Sequence, residues 1–293
     1  MAVAYEAVAS AGPAGKANGE TLVITKPANT ADGDLLIASF GIMTRSATTP
    51  QMSTLSGWTL ISRTGTGNQR LNLFYKVASS EGADYTWQYT GEDDSGVAGA
   101  IYRISGAGNP TSIQSSVEEG TSPWAVTLTP TFHDSLALII TTANDGTADS
   151  TGSVSTYAIT TNNPTWTERV DINADLDAYF GAGNPSEMLL AGATASRPEQ
   201  TATGDASATI AAYNGGVLGA LMIIPPVSSV TVSPSVISAV ATVQDPTVTG
   251  GATVSPSVIT ATASVIAPTI TTEATKWSNT TKNSETWTPV DKT

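Results

Sequence analysis

The 293-residue sequence contains no cysteine, a single histidine and few charged residues, which make up 13% of the chain. Without cysteine there is neither a disulfide framework nor a thiolate metal site. The chain has 12 lysines and arginines and 25 aspartates and glutamates. Because its net charge is -13, contact with a phosphate backbone is disfavoured. We therefore expect no nucleic-acid partner.

Helical periodicity and long apolar runs are also missing. No segment combines a sustained helical repeat of apolar residues with capping residues at its ends. The longest apolar run, 216–227, is too short to cross a bilayer and is interrupted by Pro225 and Pro226. The first residues lack the basic and apolar regions of a secretory signal. We expect that the chain does not insert into a membrane and that it is synthesised in a cytosol.

Short segments in which apolar and polar residues alternate, separated by glycine and proline, dominate residues 1–226. The clearest lies at 84–90, where Tyr85, Trp87 and Tyr89 alternate with threonine and glutamine. A period of two is typical of a strand with one buried face. The last segment, 216–224, is apolar on both faces, which indicates a central strand. The pattern predicts an all-β fold, a β-sandwich or jelly roll that ends at the two prolines.

Residues 227–271 contain a 22-residue repeat, because the sequence TVSPSVI at 231–237 returns at 253–259. Each copy alternates small apolar residues with serine and threonine, as a strand with one narrow apolar face does. Two copies cannot bury such a face alone. We predict a strand-rich stalk or arm that assembles with other chains, a flexible linker being the alternative. The predicted interface residues are Ile237, Ala239, Ala241, Val243, Ile259, Ala261, Ala263 and Val265.

Residues 272–293 form a third segment with two tryptophans, Trp277 and Trp287, each followed five residues later by a lysine. A tryptophan side chain can bury about 200 Å². We therefore predict that both indoles dock on a surface and belong to the assembly interface, a frayed chain end being the alternative.

One segment places oxygen-bearing side chains at every second residue, namely Asp171, Asn173, Asp175 and Asp177. The spacing resembles the start of a calcium loop, but Leu176 and Ala182 stand where such a loop has glycine and a bidentate glutamate. A strand that shows this polar face to water is the alternative. Calcium is the one cofactor that the sequence suggests. The acidic segment 91–96 is interpreted as a hairpin turn, with calcium again the alternative.

Catalytic constellations are sparse. The only histidine, His133, precedes Asp134 and is interpreted as part of a turn, since no nucleophile elbow accompanies it. A glycosidase needs two carboxylates across a cleft, and the candidates are Glu118, Glu119 and Glu168. Three tryptophans are suited either to stack on sugar rings or to pack in the core, namely Trp58, Trp124 and Trp166.

Several segments together resemble structural proteins of tailed bacteriophages and prophages, which are β-sandwich modules on virion fibres, spikes or decorations. The segments that carry the resemblance are 33–37 (GDLLI), 57–61 (GWTLI), 73–78 (LFYKVA), 85–87 (YTW) and 102–106 (YRISG). They consist of strand aromatics and turn glycines and contain no catalytic residue.

The resemblance implies a non-enzymatic virion protein, assembled in the cytoplasm of a bacterial host with other virion proteins. Fibre stalks of this kind usually close as trimers, so it favours a homotrimer. Two alternatives are a carbohydrate-binding or receptor-binding module that attaches to host surface glycans, and a spike that degrades polysaccharide.

Overall fold

The computed structural model describes residues 2–44, 50–65, 69–91, 95–120, 124–145, 153–175, 187–197, 203, 205–211 and 217–227. The chain divides into two units, Met1–Ser233 and Pro234–Thr293, and every described residue belongs to the first. Apart from Val227, the predicted repeat region 227–271 and the tail 272–293 lie outside the described residues. The same holds for all predicted assembly residues, from Ile237 to Trp287.

The described chain is all-β and consists of antiparallel sheets, as the sequence predicted. The first eight strands are β1 (Ala4–Lys16), β2 (Thr21–Thr25), β3 (Leu35–Met43), β4 (Gln51–Met52), β5 (Thr59–Thr64), β6 (Gln69–Val77), β7 (Asp84–Thr90) and β8 (Ser95–Ser105). The next eight are β9 (Gln114–Gly120), β10 (Trp124–Thr127), β11 (Ser135–Asp145), β12 (Ser153–Ile159), β13 (Thr167–Asp175), β14 (Glu187–Arg197), β15 (Asp205–Ala211) and β16 (Val217–Ile224). Within the described ranges the helical content is one 3-10 turn, Pro110–Ser112, and no helix there is long and apolar enough to span a membrane.

The sixteen strands form two sets with the same topology. β1 to β8 build a five-stranded sheet, β1-β8-β3-β6-β5, and a three-stranded sheet, β2-β7-β4. β9 to β16 build a five-stranded sheet, β9-β16-β11-β14-β13, and a three-stranded sheet, β10-β15-β12. Each strand therefore has its counterpart eight strands later. We call residues 4–105 repeat 1 and residues 114–224 repeat 2.

One bulge and one sequence segment also agree between the repeats. β5 and β13 each carry one bulge, at Ile61 and at Arg169 respectively. The sequence GVAGAIYRI at 96–104 returns as GVLGALMII at 216–224, with five of the nine positions identical. Since bulges are positional features of a sheet, the coincidence at Ile61 and Arg169 supports an internal duplication of one unit. The irregularities of β1 and β12 are not repeated in their counterparts β9 and β4. Within residues 1–226, for which the sequence predicted one β domain, the described strands form these two equivalent sets.

In the described part of the chain, three buried cores define four layers. One core lies between the two sheets of repeat 1, a second between those of repeat 2, and a third between the two five-stranded sheets. The layers therefore follow one another as three, five, five and three strands. Both faces of each five-stranded sheet are covered, which explains why β3 and β16 are buried along their whole length. β16 pairs with β11 and β9, so it is a central strand, as predicted.

A pseudo-twofold axis relates the two five-stranded sheets. β1 contacts β13 as β9 contacts β5, β3 contacts β14 as β11 contacts β6, and the equivalent strands β3 and β11 contact each other. Gly41 on β3 and Thr142 on β11 hold equivalent positions, opposite Ala98 and Leu218. A Cβ atom at Gly41 would lie 2.5 Å from Oγ1 of Thr142. The packing is isologous, as in a twofold dimer, but within a single chain.

At one equivalent strand pair, the large and the small residue stand on opposite strands in the two repeats. In repeat 1 Leu22 on β2 faces Trp87 on β7, whereas in repeat 2 Trp124 on β10 faces Ala208 on β15. Each core thus keeps one indole at this pair, supplied from the opposite strand. Gly219 makes room for the second of them, because a Cβ there would overlap the Trp124 ring.

Candidate functional site

The described part of repeat 2 contains an open cleft between β12 and β13. β12 is an edge of the three-stranded sheet and β13 is an edge of the five-stranded sheet, and the segment 160–166 joins them. The cleft has a volume of about 400 Å³ and is lined by Val154, Thr156, Tyr157, Asn163, Pro164, Trp166 and Glu168. We call it the β12–β13 cleft.

Two half-buried aromatic rings form one wall of the cleft. The ring centroids of Tyr157 and Trp166 are 6.4 Å apart and the planes are inclined by 35°. Nε1 of Trp166 donates a hydrogen bond of 3.2 Å to Oδ1 of Asn163, which also accepts one of 2.9 Å from the backbone N–H of Ile159. Asn163 therefore ties the connecting segment to the end of β12 and fixes the orientation of the indole.

Carboxyl groups lie beside this wall. The hydroxyl of Tyr157 donates to Oε1 of Glu168 at 3.3 Å. Glu168 and Asp171 pair with Ala193 and Ala191, alternate residues of β14, and so lie on one face of β13. Burial, and then the nearby charge of Asp171, raise the pKa of Glu168, while the Tyr157 hydrogen bond opposes the shift. Burial also raises the pKa of Asp171.

The bulge at Arg169 directs its side chain away from the cleft. Its guanidinium lies 3.9 Å from the ring centroid of Tyr5 in repeat 1, and Nε donates to Oγ1 of Thr194 at 2.8 Å. Burial raises the pKa of the Tyr5 hydroxyl, and the Arg169 charge partly offsets this. The described residues that line the cleft include neither lysine nor arginine, so its charged groups are acidic.

The equivalent place in repeat 1, between β4 and β5, is filled by the protein's own side chains. Trp58 corresponds to Trp166, since each directly precedes the first paired residue of its strand. Trp58 is only 5% exposed and packs edge-on against Tyr85 and Trp87, with centroid distances of 5.4 and 5.1 Å. The indole of repeat 1 is therefore part of the core.

Arg63 closes the repeat 1 cleft further. It donates hydrogen bonds to the carbonyl of Met52 at 2.9 Å and to Oγ1 of Thr54 at 3.1 Å, and so connects β5 to β4 and the residues that follow it. Arg63 pairs opposite Asn72, and its counterpart in repeat 2 is the exposed Asp171. The guanidinium bridge of repeat 1 is thus replaced by a carboxylate.

Three differences at equivalent positions open the cleft of repeat 2. Ala206 and Ala208 replace the ring pair Tyr85 and Trp87 that holds Trp58, and Asp171 replaces Arg63. Alanine offers an indole little contact area, so Trp166, like Tyr157, is only partly buried against the edge of the repeat 2 core.

The calcium segment forms part of β13. Asp171, Asn173 and Asp175 pair with alternate residues of β14 and so share one face of the strand. This is the strand arrangement considered as the alternative, and Asp177 lies outside the described residues. Over the described ranges no group of three or more acidic, histidine or cysteine side chains is placed to hold a metal ion. Calcium therefore stays a prediction, as it does for the loop 91–96, of which 92–94 are not described.

The sequence candidates for a glycosidase pair lie far apart. Glu118 and Glu119 are on β9 and Glu168 is on β13, at opposite edges of the same five-stranded sheet. Four steps of about 4.8 Å separate the edges by roughly 19 Å, and glycosidase carboxylates are at most about 10 Å apart. These residues therefore do not form such a pair.

The other residues that the sequence suggested for a site lie in the protein core or in a bend. Trp58 and Trp124 are buried, and Nε1 of Trp124 donates to the carbonyl of Glu118 at 3.0 Å. His133 lies in the bend before β11, next to Asp134, whose φ is 52°. Of the three candidate tryptophans, Trp166 alone lines the cleft.

No protein-family model matches this sequence, and no curated protein or solved structure matches it either. Sequence reasoning had missed Tyr157 and Asn163 as site residues. One signal for the equivalence is present in the sequence: the dipeptide Trp-Thr occurs at 58–59 and again at 166–167.

Proposed function

We propose that this chain is a non-enzymatic structural protein of a virion, a fibre, spike or decoration subunit. The two repeats are its head, and residues 227–271 and 272–293 are its assembly part. The observation that carries the proposal is the construction of the head, in which two equivalent β units are joined through their larger sheets. Both five-stranded sheets are covered on their two faces, which suits a structural role.

We further infer that each repeat is a jelly roll. In repeat 1, β1, β8, β3 and β6 lie in one sheet while β2, β7 and β4 lie in the other, so the chain crosses between sheets at nearly every step. Such alternation is typical of paired Greek keys. β5 departs from this alternation because it pairs with β6.

The way the chain leaves the head supports an assembly role for the tail. The backbone N–H of Val227 donates to the carbonyl of Gly106, and that of Gly108 donates to the carbonyl of Pro225. The exit is therefore hydrogen-bonded to the segment between the repeats. The large exposed apolar residues of the described head lie on four different segments, namely Val23, Leu60, Val77 and Val227.

The mass of the full chain, compared with a truncation after residue 227, tests the proposal. By light scattering we expect the full chain to form a salt-resistant oligomer, with a trimer preferred, and the truncation to be monomeric. Matched variants separate the two faces of the repeat. Ile237→Ser with Ile259→Ser should dissociate the oligomer, whereas Ser238→Ala with Thr260→Ala should not. A truncation that keeps the oligomer, or a monomeric full chain, contradicts the proposal.

The polysaccharide-degrading alternative has less support, because the carboxylates that the sequence offered lie on opposite edges of one sheet. Release of reducing ends from a host polysaccharide by the purified chain would contradict the non-enzymatic proposal.

A further inference from the structure

The β12–β13 cleft lies where repeat 2 differs from repeat 1 at three equivalent positions. We propose that this cleft binds a pyranose ring of an uncharged saccharide, which stacks on Trp166 and Tyr157 while its hydroxyl groups donate to Glu168. The proposal goes beyond the assembly role and does not depend on it.

The first argument is the chemistry of the walls. A pyranose has a face of C–H groups and a rim of hydroxyl groups, so a matching site needs an apolar ring beside hydrogen-bond acceptors. The inclined rings of Trp166 and Tyr157 supply the former, with centroids 6.4 Å apart. The carboxyl of Glu168, already in contact with the Tyr157 hydroxyl, supplies charge-assisted hydrogen bonds to a diol.

The second argument is charge. Glu168 and Asp171 lie on the same face of β13, and the nearest described cation on that strand, Arg169, is engaged by Tyr5 and Thr194 on the other side. A chain with a net charge of -13 adds to the negative potential. Uronic acids, sialic acids and phosphorylated sugars would therefore be repelled.

The third argument is the comparison between repeats. The same scaffold, including the bulge of its edge strand, closes this cleft in repeat 1 with Trp58 in the core and Arg63 bonded to Met52 and Thr54. Among its described residues, repeat 2 keeps the scaffold and the tryptophan but has Ala206, Ala208 and Asp171 where repeat 1 has the groups that close the cleft. Trp166 packs against the edge of the repeat 2 core but stays partly exposed, and Asn163 fixes its orientation, so a ligand ring can cover the exposed part of the indole.

Size and openness set the kind of ligand. A volume of about 400 Å³ lies near the lower end of small-molecule sites, which suits one or two rings. Because the cleft is open, a ring within a longer glycan can enter. One covered face implies weak binding, with a Kd on the order of 1 mM for a single ring.

Saturation-transfer difference NMR on the full chain tests the proposal, because the method detects weak binding and reports which ligand protons contact the protein. The probes are the methyl glycosides of glucose, galactose and mannose, and N-acetylglucosamine, with glucuronic acid and glucosamine as charged counterparts. We expect transfer to the ring C–H protons of at least one uncharged probe and none to glucuronic acid.

Variants locate the site. Trp166→Ala should weaken binding at least tenfold and Glu168→Gln by a smaller factor. Leu60→Gln, the change at the equivalent exposed position of repeat 1, should leave binding unchanged. Asp171→Arg restores the residue that closes repeat 1 and should reduce binding without loss of thermal stability, which covers the case that Trp166→Ala does not fold.

Several results would overturn the proposal. These are no transfer to any uncharged probe, equal binding of glucuronic acid, binding of glucosamine alone, or binding that survives both Trp166→Ala and Asp171→Arg. None of them bears on the oligomer measurement, so the two proposals fail separately.

Discussion

One added methyl group at Gly41 should weaken the contact between the two repeats. A Cβ there would lie 2.5 Å from Oγ1 and 3.1 Å from Cβ of Thr142, and 2.9 Å from Cε of Met188. Met188 ends in a flexible chain and can move aside. Thr142 is 1% exposed and lies on β11, which is hydrogen-bonded to a strand on each side, so it cannot.

The expected cost follows from this geometry. Overpacking a closed core typically costs 1–3 kcal/mol, so Gly41→Ala should lower the free energy of unfolding by about 2 kcal/mol. Thr142→Ala should cost about 1 kcal/mol by itself, because it removes a buried methyl and hydroxyl. In the double variant the oxygen that causes the clash is absent. The stability loss of the double variant should therefore be smaller than the sum of the two single losses by at least about 1 kcal/mol.

Urea unfolding of the full chain, followed by tryptophan fluorescence, measures these free energies. Gly82→Ala is the matched control, since a Cβ at Gly82 has nothing within 4 Å and the change should stay within about 0.5 kcal/mol of zero. Strictly additive losses, or no loss for Gly41→Ala, would refute the face-to-face packing of β3 and β11.

Two further predictions concern the repeat 2 core and the pH dependence of stability. Gly219→Ala places a Cβ in the rigid indole of Trp124 and should cost about 3 kcal/mol; thermal unfolding should show a much smaller loss for Gly120→Ala, whose Cβ would lie 3.9 Å from the same ring. Burial alone would raise the pKa of Glu81, but hydrogen bonds, first of all from Lys76, hold it below the ordinary value of 4.5. The ionised Glu81 carboxylate therefore contributes to the free energy of unfolding above pH 4.5, and this contribution is lost as the pH falls through the lowered pKa. In urea titrations Glu81→Gln should be less stable than the parent at pH 7, and the difference should become small at pH 3.

The strands were predictable because alternation is a local property. Segment 84–90 buries Tyr85, Trp87 and Tyr89 and exposes Thr86 and Gln88, as the period of two indicates. The layering was not predictable. β3 is apolar on both faces, which shows that both are covered, but a helix, a sheet or another subunit would each satisfy that pattern.

The duplication could not be recognised from the sequence, because the packing of the two cores preserves side-chain volume rather than residue identity. Trp87 opposite Leu22 and Ala208 opposite Trp124 fill equivalent space from opposite strands. Apart from short segments such as 96–104 and 216–224, the repeats share strand order and the bulge of β5 and β13, which become visible only in the strand pairing.

The cleft could not be predicted from the sequence for a related reason. Trp58, Trp124 and Trp166 look alike in the sequence, and their exposure is decided by residues far away in the chain. Trp58 is covered because Tyr85 and Trp87 face it, whereas the alanines at 206 and 208 leave Trp166 half-exposed. Such compensation depends on the tertiary fold.

The pseudo-twofold packing of the two repeats underlies the comparison of their clefts, and a disulfide trap tests it most directly. The chain has no cysteine, so Gly41→Cys with Thr142→Cys introduces one possible bond. A Cβ at Gly41 would lie 3.1 Å from Cβ of Thr142, a few tenths of an ångström below the roughly 3.5–4.5 Å of disulfides. After mild oxidation of the full chain, peptide mass spectrometry should find positions 41 and 142 linked within one chain. Free thiols, or links between chains only, would contradict the arrangement.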